Sequence, residues 1–213
     1  MEFKLMIGFT ILVLGITLYM GYRLYKKSET QFDIAIRERT KLQDGSHMLG
    51  VMKSVTRLGN VETLFIIIVP ILFFLIRSED FVTATSIIVA AGLSIFVSQL
   101  MKFIFRRNRP TITRAINHIG YSFPSGHATV GISFYLTIAY ILSSGSDRMP
   151  VIAAAGLCIG LAIAYSRISL GVHWASDVCA GVLLGLMCAW WAIYLYRMNY
   201  TLIWVFRTAL LIQ

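Results

Sequence analysis

Six apolar runs, rather than any motif, set the first limit on what this chain can fold into. A helix that crosses a bilayer needs about 20 largely apolar residues, within a range of about 17 to 25. Runs of roughly that kind lie at 5–22, 61–76, 81–105, 127–142, 150–166 and 174–196. The second is short and carries Glu62 at its start. Charged residues punctuate the runs at Arg23/Lys26/Lys27, Arg77/Glu79/Asp80, Arg106/Arg107, Asp147/Arg148 and Arg197. With only 14% of residues charged, little polar surface is left to face water. The expected fold is therefore all-α: one domain over 1–213, built as a polytopic membrane bundle of six transmembrane helices. The opening "MEFKLMIGFTILVLGITLYMGYRLYKK" has too long an apolar core for a signal peptide, and no A-x-A site follows it. It reads as an uncleaved span.

The one long polar segment is 23–60. Its second half sets Met48, Val51, Met52, Val55 and Leu58 at helical spacing, with Lys53 and Arg57 off that face. An amphipathic helix lying in the interface between the first two spans is expected over 46–58. A connecting helix packed on the bundle fits the same pattern. The tail "TLIWVFRTALLIQ" is too short to span alone and either prolongs the sixth helix or lies at the surface. Cys158, Cys179 and Cys188 sit in apolar stretches without C-x-x-C spacing, which indicates neither a disulfide framework nor a zinc site. A net charge of +9 would suggest nucleic acid in a soluble protein. In a membrane chain it points to anionic lipid or phosphate, and no nucleic-acid partner is expected.

Polar residues cluster where the spans end. Lys102 lies in the last turn of the third helix, with Arg109-Pro110 just beyond. Ser125, Gly126 and His127 open the fourth, Ser166 and Arg167 close the fifth, and His173 and Asp177 open the sixth. Alternating spans put all four stretches on one membrane face. Singly, each residue has an ordinary reading: a snorkelling lysine, a helix cap, a core histidine. Together they mark a functional site, because charge at the membrane edge is costly. Lys102, Arg109, Arg167 and the free N–H groups at Ser125-Gly126 make an anion cradle suited to phosphate. His173 and Asp177 share a helix face at i, i+4. An aspartate accepting one imidazole N–H frees the other nitrogen as a nucleophile, and His127 is left to protonate the leaving oxygen. Asp177 is the only acid nearby, so no metal and no cofactor are expected. The chemistry that fits is phosphoryl transfer through a phosphohistidine.

The segments "KFIFRRNRP" (102–110), "PSGH" (124–127) and "SRISLGVHWASD" (166–177) resemble the three-part signature of the type-2 phosphatidic acid phosphatase superfamily: K-x6-RP, PSGH and SR-x5-H-x3-D. Every fixed position is filled, in order. The resemblance implies His173 as nucleophile, Asp177 as its orienter and His127 as general acid. It implies Lys102, Arg109, Ser125, Gly126 and Arg167 as phosphate ligands. Soluble relatives that bind vanadate and oxidise halides are not small bundles of apolar helices. A transporter or flippase that only binds the headgroup would need neither His173 nor Asp177.

The implied substrates are phosphatidylglycerol phosphate, phosphatidic acid and polyprenyl pyrophosphates such as undecaprenyl pyrophosphate. Arg114 and His118, in the loop "TITRAINHIGYS", are candidates to touch the rest of the headgroup. Topology cues conflict. The active-site side, with loop 23–58, holds 14 of the 19 Lys/Arg, or 11 once Lys102, Arg109 and Arg167 are set aside, against five on the other face. The positive-inside rule then points to a cytoplasmic site, whereas the resemblance implies the extracytoplasmic face. The extracytoplasmic face of a cell membrane is the expectation retained, with lipid capture as the role of the loop charges. Nothing in the sequence bears on oligomeric state.

Overall fold

The computed structural model of the chain describes residues 2–25, 29–110 and 120–210, with side chains through 199. Among the described residues there are eight helices and no strand: α1 (Glu2–Tyr25), α2 (Gln31–Thr40), α3 (His47–Arg57), α4 (Val61–Arg77), α5 (Phe81–Phe105), α6 (Gly126–Ser143), α7 (Met149–Ser169) and α8 (Ala175–Leu210). Five stretches are long and apolar enough to cross a membrane: α1, α5, α6, α7 and α8 as far as Asn199. The bent pair α3 and α4, at 46°, passes the same test only when taken together, as a broken span or a re-entrant loop, and α4 alone does not. The all-α membrane bundle read from the apolar runs is what the chain forms.

Helix α6 is the centre of the bundle, and glycines put it there. Lipid tails are as apolar as leucine, so helices in a membrane associate through close backbone packing and hydrogen bonds. Two small-xxx-small faces close on α6, Gly156/Gly160 from α7 and Gly181/Gly185 from α8. A Cβ on Gly160 would lie 2.8 Å from Ile132 Cα, and one on Gly185 would lie 2.7 Å from the Thr129 carbonyl oxygen. Either would force the helices apart. Buried hydroxyls add polar ties: the Ser133 hydroxyl of α6 donates at 2.7 Å to the carbonyl of Ala90 on α5. Helix α1 packs on α8, where the Trp191 indole N–H donates to the Thr10 hydroxyl at 3.0 Å. Leu64 of α4 packs with Ile87 and Ala91 of α5 and Val130 and Phe134 of α6.

The polar segment holds two helices where the apolar periodicity indicates one. Helix α3 falls within the expected 46–58 and is capped by Ser46, whose hydroxyl accepts from the Leu49 N–H at 3.3 Å. It turns Leu49 and Met52 onto Leu170 and Val172 at the end of α7, while Met48 and Leu58 of the expected stripe are exposed. Helix α2 has no apolar stripe to announce it. It begins at a Thr-x-x-Asp box in which the Thr30 hydroxyl accepts from the Asp33 N–H at 3.1 Å. The tail takes the first of its two readings, because α8 runs on to Leu210. Lys26, Lys27, Arg114 and His118 lie outside the described residues. The three cysteines are free.

Candidate active site

The residues that follow α5 lie beside those that precede α6, with the Ser122 N–H donating to the Arg107 carbonyl at 2.8 Å. Helix α5 stops where Arg106 takes a left-handed conformation (φ 44°), and Arg109-Pro110 follow. The Ser125 N–H then donates to the Asp177 carbonyl at 3.0 Å, which ties the start of α6 to the start of α8. Of the expected site residues, His173, Asp177, Ser125 and Arg167 are buried and Arg109 is half-buried; Arg109 contacts His173, Ser125 is tied to Asp177 through the backbone, and Lys102 lies beside Gly126.

His173 sits in the turn between α7 and α8 and is buried. Its Nε2 lies 3.2 Å from Arg109 Nη1. A guanidinium can only donate, so Nε2 carries the lone pair and Nδ1 the proton. That nitrogen faces Ser122 Oγ at 3.3 Å and Asp177 Oδ2 at 3.6 Å. The Asp177 contact is longer than a hydrogen bond, and Ser122 flanks both groups, its hydroxyl donating to the same carboxylate oxygen. Asp177 is held further by the Trp174 N–H at 2.9 Å and by Arg107 Nη1 at 2.6 Å. Nε2, with its lone pair, is therefore turned toward Arg109 and the proton-bearing Nδ1 toward Ser122 and the carboxylate.

Burial above all, with the positive charges of Arg167 and Arg109 in support, outweighs Asp177 and holds His173 at about 3, far below an ordinary imidazole. The ring stays neutral at any working pH. This has a consequence for stability. Above pH 6.5 the ring is neutral whether the chain is folded or not, and its contribution is complete. Between pH 6.5 and about 3 only the unfolded chain takes the proton, so stability falls with acid, by at most about 1.4 kcal/mol per pH unit for one proton. Thermal unfolding in detergent from pH 7.5 to 5 is expected to fall more steeply for wild type than for His173→Gln. Equal slopes would contradict a buried neutral ring.

The cradle is built around the α6 start. Among the described residues, few buried side-chain polar atoms lack a hydrogen-bond partner, and two of them are Ser125 Oγ and Arg167 Nε. Both belong to the expected phosphate-binding set, and an anion's oxygens would satisfy both. A Cβ on Gly126 would lie 3.2 Å from Lys102 Nζ, so a side chain there would push that ammonium back from the helix start by a few tenths of an ångström. Arg167 Nη1 donates to Thr56 Oγ1 of α3 at 2.6 Å. His127 is half-buried, with Nε2 2.9 Å from Oδ1 of Asn60, the residue that precedes α4. The α3–α4 bend thus supplies one wall of the site.

Sequence reasoning missed Ser122, Arg107, Asp33, Thr56 and Asn60. Arg107 reads as a flanking charge, and Asp33 as one polar residue among many. The capping box at Thr30 locates α2 but says nothing of what Asp33 reaches.

The profile of the PAP2 superfamily matches residues 83–201. Phosphatidylglycerophosphatase B of Bacillus subtilis is 30% identical over 145 residues, which cover 64% of this chain and 70% of that protein. A putative undecaprenyl-diphosphatase of Escherichia coli, YbjG, is 36% identical over 112 residues, 47% of this chain and 50% of its own. In structure the chain is similar to a transmembrane PAP2-type phosphatidylglycerolphosphate phosphatase from Bacillus subtilis, with a TM-score of 0.75 and 25% identity over 85% of this chain and 92% of that one. It is also similar to LpxE of Aquifex aeolicus, with a TM-score of 0.61 and 25% identity over 79% and 98% of the two chains.

Proposed function

Because the chain belongs to the PAP2 superfamily, we propose that it hydrolyses a phosphomonoester or pyrophosphate on a membrane lipid through a phosphohistidine formed on His173. The observation that carries this reading is the orientation of that ring. Arg109 marks Nε2 as the lone-pair nitrogen, and Nε2 faces the cation cradle while Nδ1 faces Ser122 and Asp177.

The steps follow from the groups present. Lys102, Arg109, Arg167, the Ser125 hydroxyl and the N–H groups at the start of α6 hold the phosphoryl oxygens and neutralise the charge that grows on them. His173 Nε2 attacks phosphorus, a P–N bond forms, and the P–O bond to the lipid breaks. His127 gives its proton to the departing oxygen. Water then attacks the phosphohistidine with His127 as base, releasing phosphate and returning His173 to its neutral form. Asp177 stays ionised and balances the positive charge the ring carries while phosphorylated.

The donors around the phosphate are cations and N–H or O–H groups, and both Asp177 oxygens are already engaged by Arg107, Ser122 and the Trp174 N–H. Activity is expected to survive EDTA, and vanadate, which adopts the shape of a phosphoryl transition state, to inhibit. Phosphate release from phosphatidylglycerol phosphate, phosphatidic acid and undecaprenyl pyrophosphate, each with and without EDTA, tests the proposal. Loss with EDTA and recovery with magnesium would overturn the mechanism. The names of the relatives favour the first and third lipids. The site is proposed to open at the extracytoplasmic face.

A further inference from the structure

Asp177 is gripped from two sides, and the second grip comes from Arg107, a position that the K-x6-RP signature leaves open. Oδ2 faces Ser122 and His173, whereas Oδ1 accepts from Arg107 Nη1 at 2.6 Å. Arg107 Nη2 donates in turn to Asp33 Oδ2 at 2.7 Å, and Asp33 belongs to α2, at the other end of the sequence. Ser176, next to Asp177, completes the join: its N–H and hydroxyl donate to Asp33 Oδ1 at 2.9 and 2.8 Å. The side chains of Asp33, Arg107 and Asp177 are at most 1% exposed.

Three buried charges in a row invite a charge count. Arg107 and Asp177 alone sum to zero, and a guanidinium on Oδ1 would draw off the negative charge that His173 needs as it becomes a cation on phosphorylation. Asp33 returns the row to a net charge of −1. We propose that Asp33 is a positioning residue for the nucleophile: by neutralising Arg107, it lets the guanidinium fix the Asp177 carboxylate without cancelling the charge that carboxylate presents to His173. Arg107 supplies the orientation and Asp33 preserves the field. This rests on the phosphohistidine reading above. A bond that merely anchored α2 would supply the geometry alone, so the two roles separate when charge is removed and shape is kept.

The test is the rate of phosphoenzyme formation by wild type, Asp33→Asn and the charge-balanced double variant Asp33→Asn/Arg107→Gln. Asp33→Asn keeps the shape but leaves Arg107 uncompensated. It is expected to slow phosphorylation roughly ten- to a hundredfold, with KM unchanged, because one unbalanced charge a few ångströms away in a low dielectric acts strongly. The double variant removes both charges and keeps polar side chains at both positions. Removing both charges together keeps the net charge of the row at −1, and a glutamine amide at position 107 can still donate to Asp177 Oδ1 in place of the guanidinium. The double variant is expected to fold and to phosphorylate within about tenfold of wild type. A double variant as slow as Asp33→Asn, or an Asp33→Asn variant with the wild-type rate, would overturn the proposal. Should Asp33→Asn fail to fold, the double variant decides alone: within about tenfold of wild type supports the charge role, and a larger loss at unchanged KM refutes it. Wild type that forms no phosphoenzyme would instead sink the phosphohistidine reading, and this inference with it.

Discussion

His173→Ala is expected to leave no phosphoenzyme and only a small residue of the turnover on every substrate. The reason is geometric before it is chemical. His173 Nε2 is the ring nitrogen that faces a cation of the cradle, 3.2 Å from Arg109, with its lone pair set by that contact. His127 cannot stand in for it. Its ring lies against Asn60 and Gly59, with Nε2 2.9 Å from Asn60 Oδ1. Water reaching the phosphorus directly would still find the cations and N–H groups in place, so a residual rate above the uncatalysed one is expected. The loss should nonetheless be on the order of 10⁴-fold or more, the scale seen when a nucleophile is removed and the electrostatic site remains. Rapid quenching without acid, followed by detection of labelled protein, is the direct measurement. A phosphoenzyme that persists in His173→Ala and disappears in His127→Ala would reverse the two roles. Inversion at phosphorus with no phosphoenzyme in wild type would mean that water attacks in one step.

The parts of this molecule that physics writes locally were legible, and the parts set by long-range contact were not. Apolar length gives the spans, because a bilayer demands it of any helix that crosses. Their alternation gives the shared face of Lys102, Ser125, Arg167 and His173. The i, i+4 spacing predicts His173 and Asp177 on one helix face, yet His173 lies in the turn before α8, and the Ser122 hydroxyl reaches both groups without any signal in the spacing. Ser122 lies 55 residues before Asp177, and only the turn ahead of Pro124 brings it in. Arg107 looked like any cation at a span's end. What distinguishes it is burial against Asp33, 74 residues away, and no periodicity reports that. Helix α2 was missed for a related reason. Its stability comes from a cap and from contacts made by Asp33, not from an apolar stripe. The motifs locate the residues proposed to hold phosphate, while their hydrogen-bond partners are scattered through α2, α3 and the loop after α5.

The loss on removing His127 is expected to depend on the leaving group, which no purely structural role would produce. A lipid alkoxide is a poor leaving group and needs a proton as the P–O bond breaks, and general acid catalysis of that kind contributes about 10²–10⁴-fold. His127→Ala should lose that much on a phosphomonoester lipid. With p-nitrophenyl phosphate the leaving phenolate departs without a proton, so the bond-breaking step should be nearly unaffected. The ring is placed for such a task. It opens α6 one residue after the glycine that admits Lys102 Nζ, and Asn60 Oδ1 accepts from Nε2 at 2.9 Å, an oxygen acceptor of the kind a leaving group presents. Asp177→Asn should behave differently. It leaves the imidazole in place but removes the charge that balances phosphohistidine, so its loss should be similar on both substrates and intermediate between those of the two histidine variants. Single-turnover phosphorylation of each variant on both substrates is the measurement. Equal losses for His127→Ala on the lipid and on p-nitrophenyl phosphate would show that the ring shapes the cradle rather than donating the proton. A loss confined to the lipid would place the proton on His127.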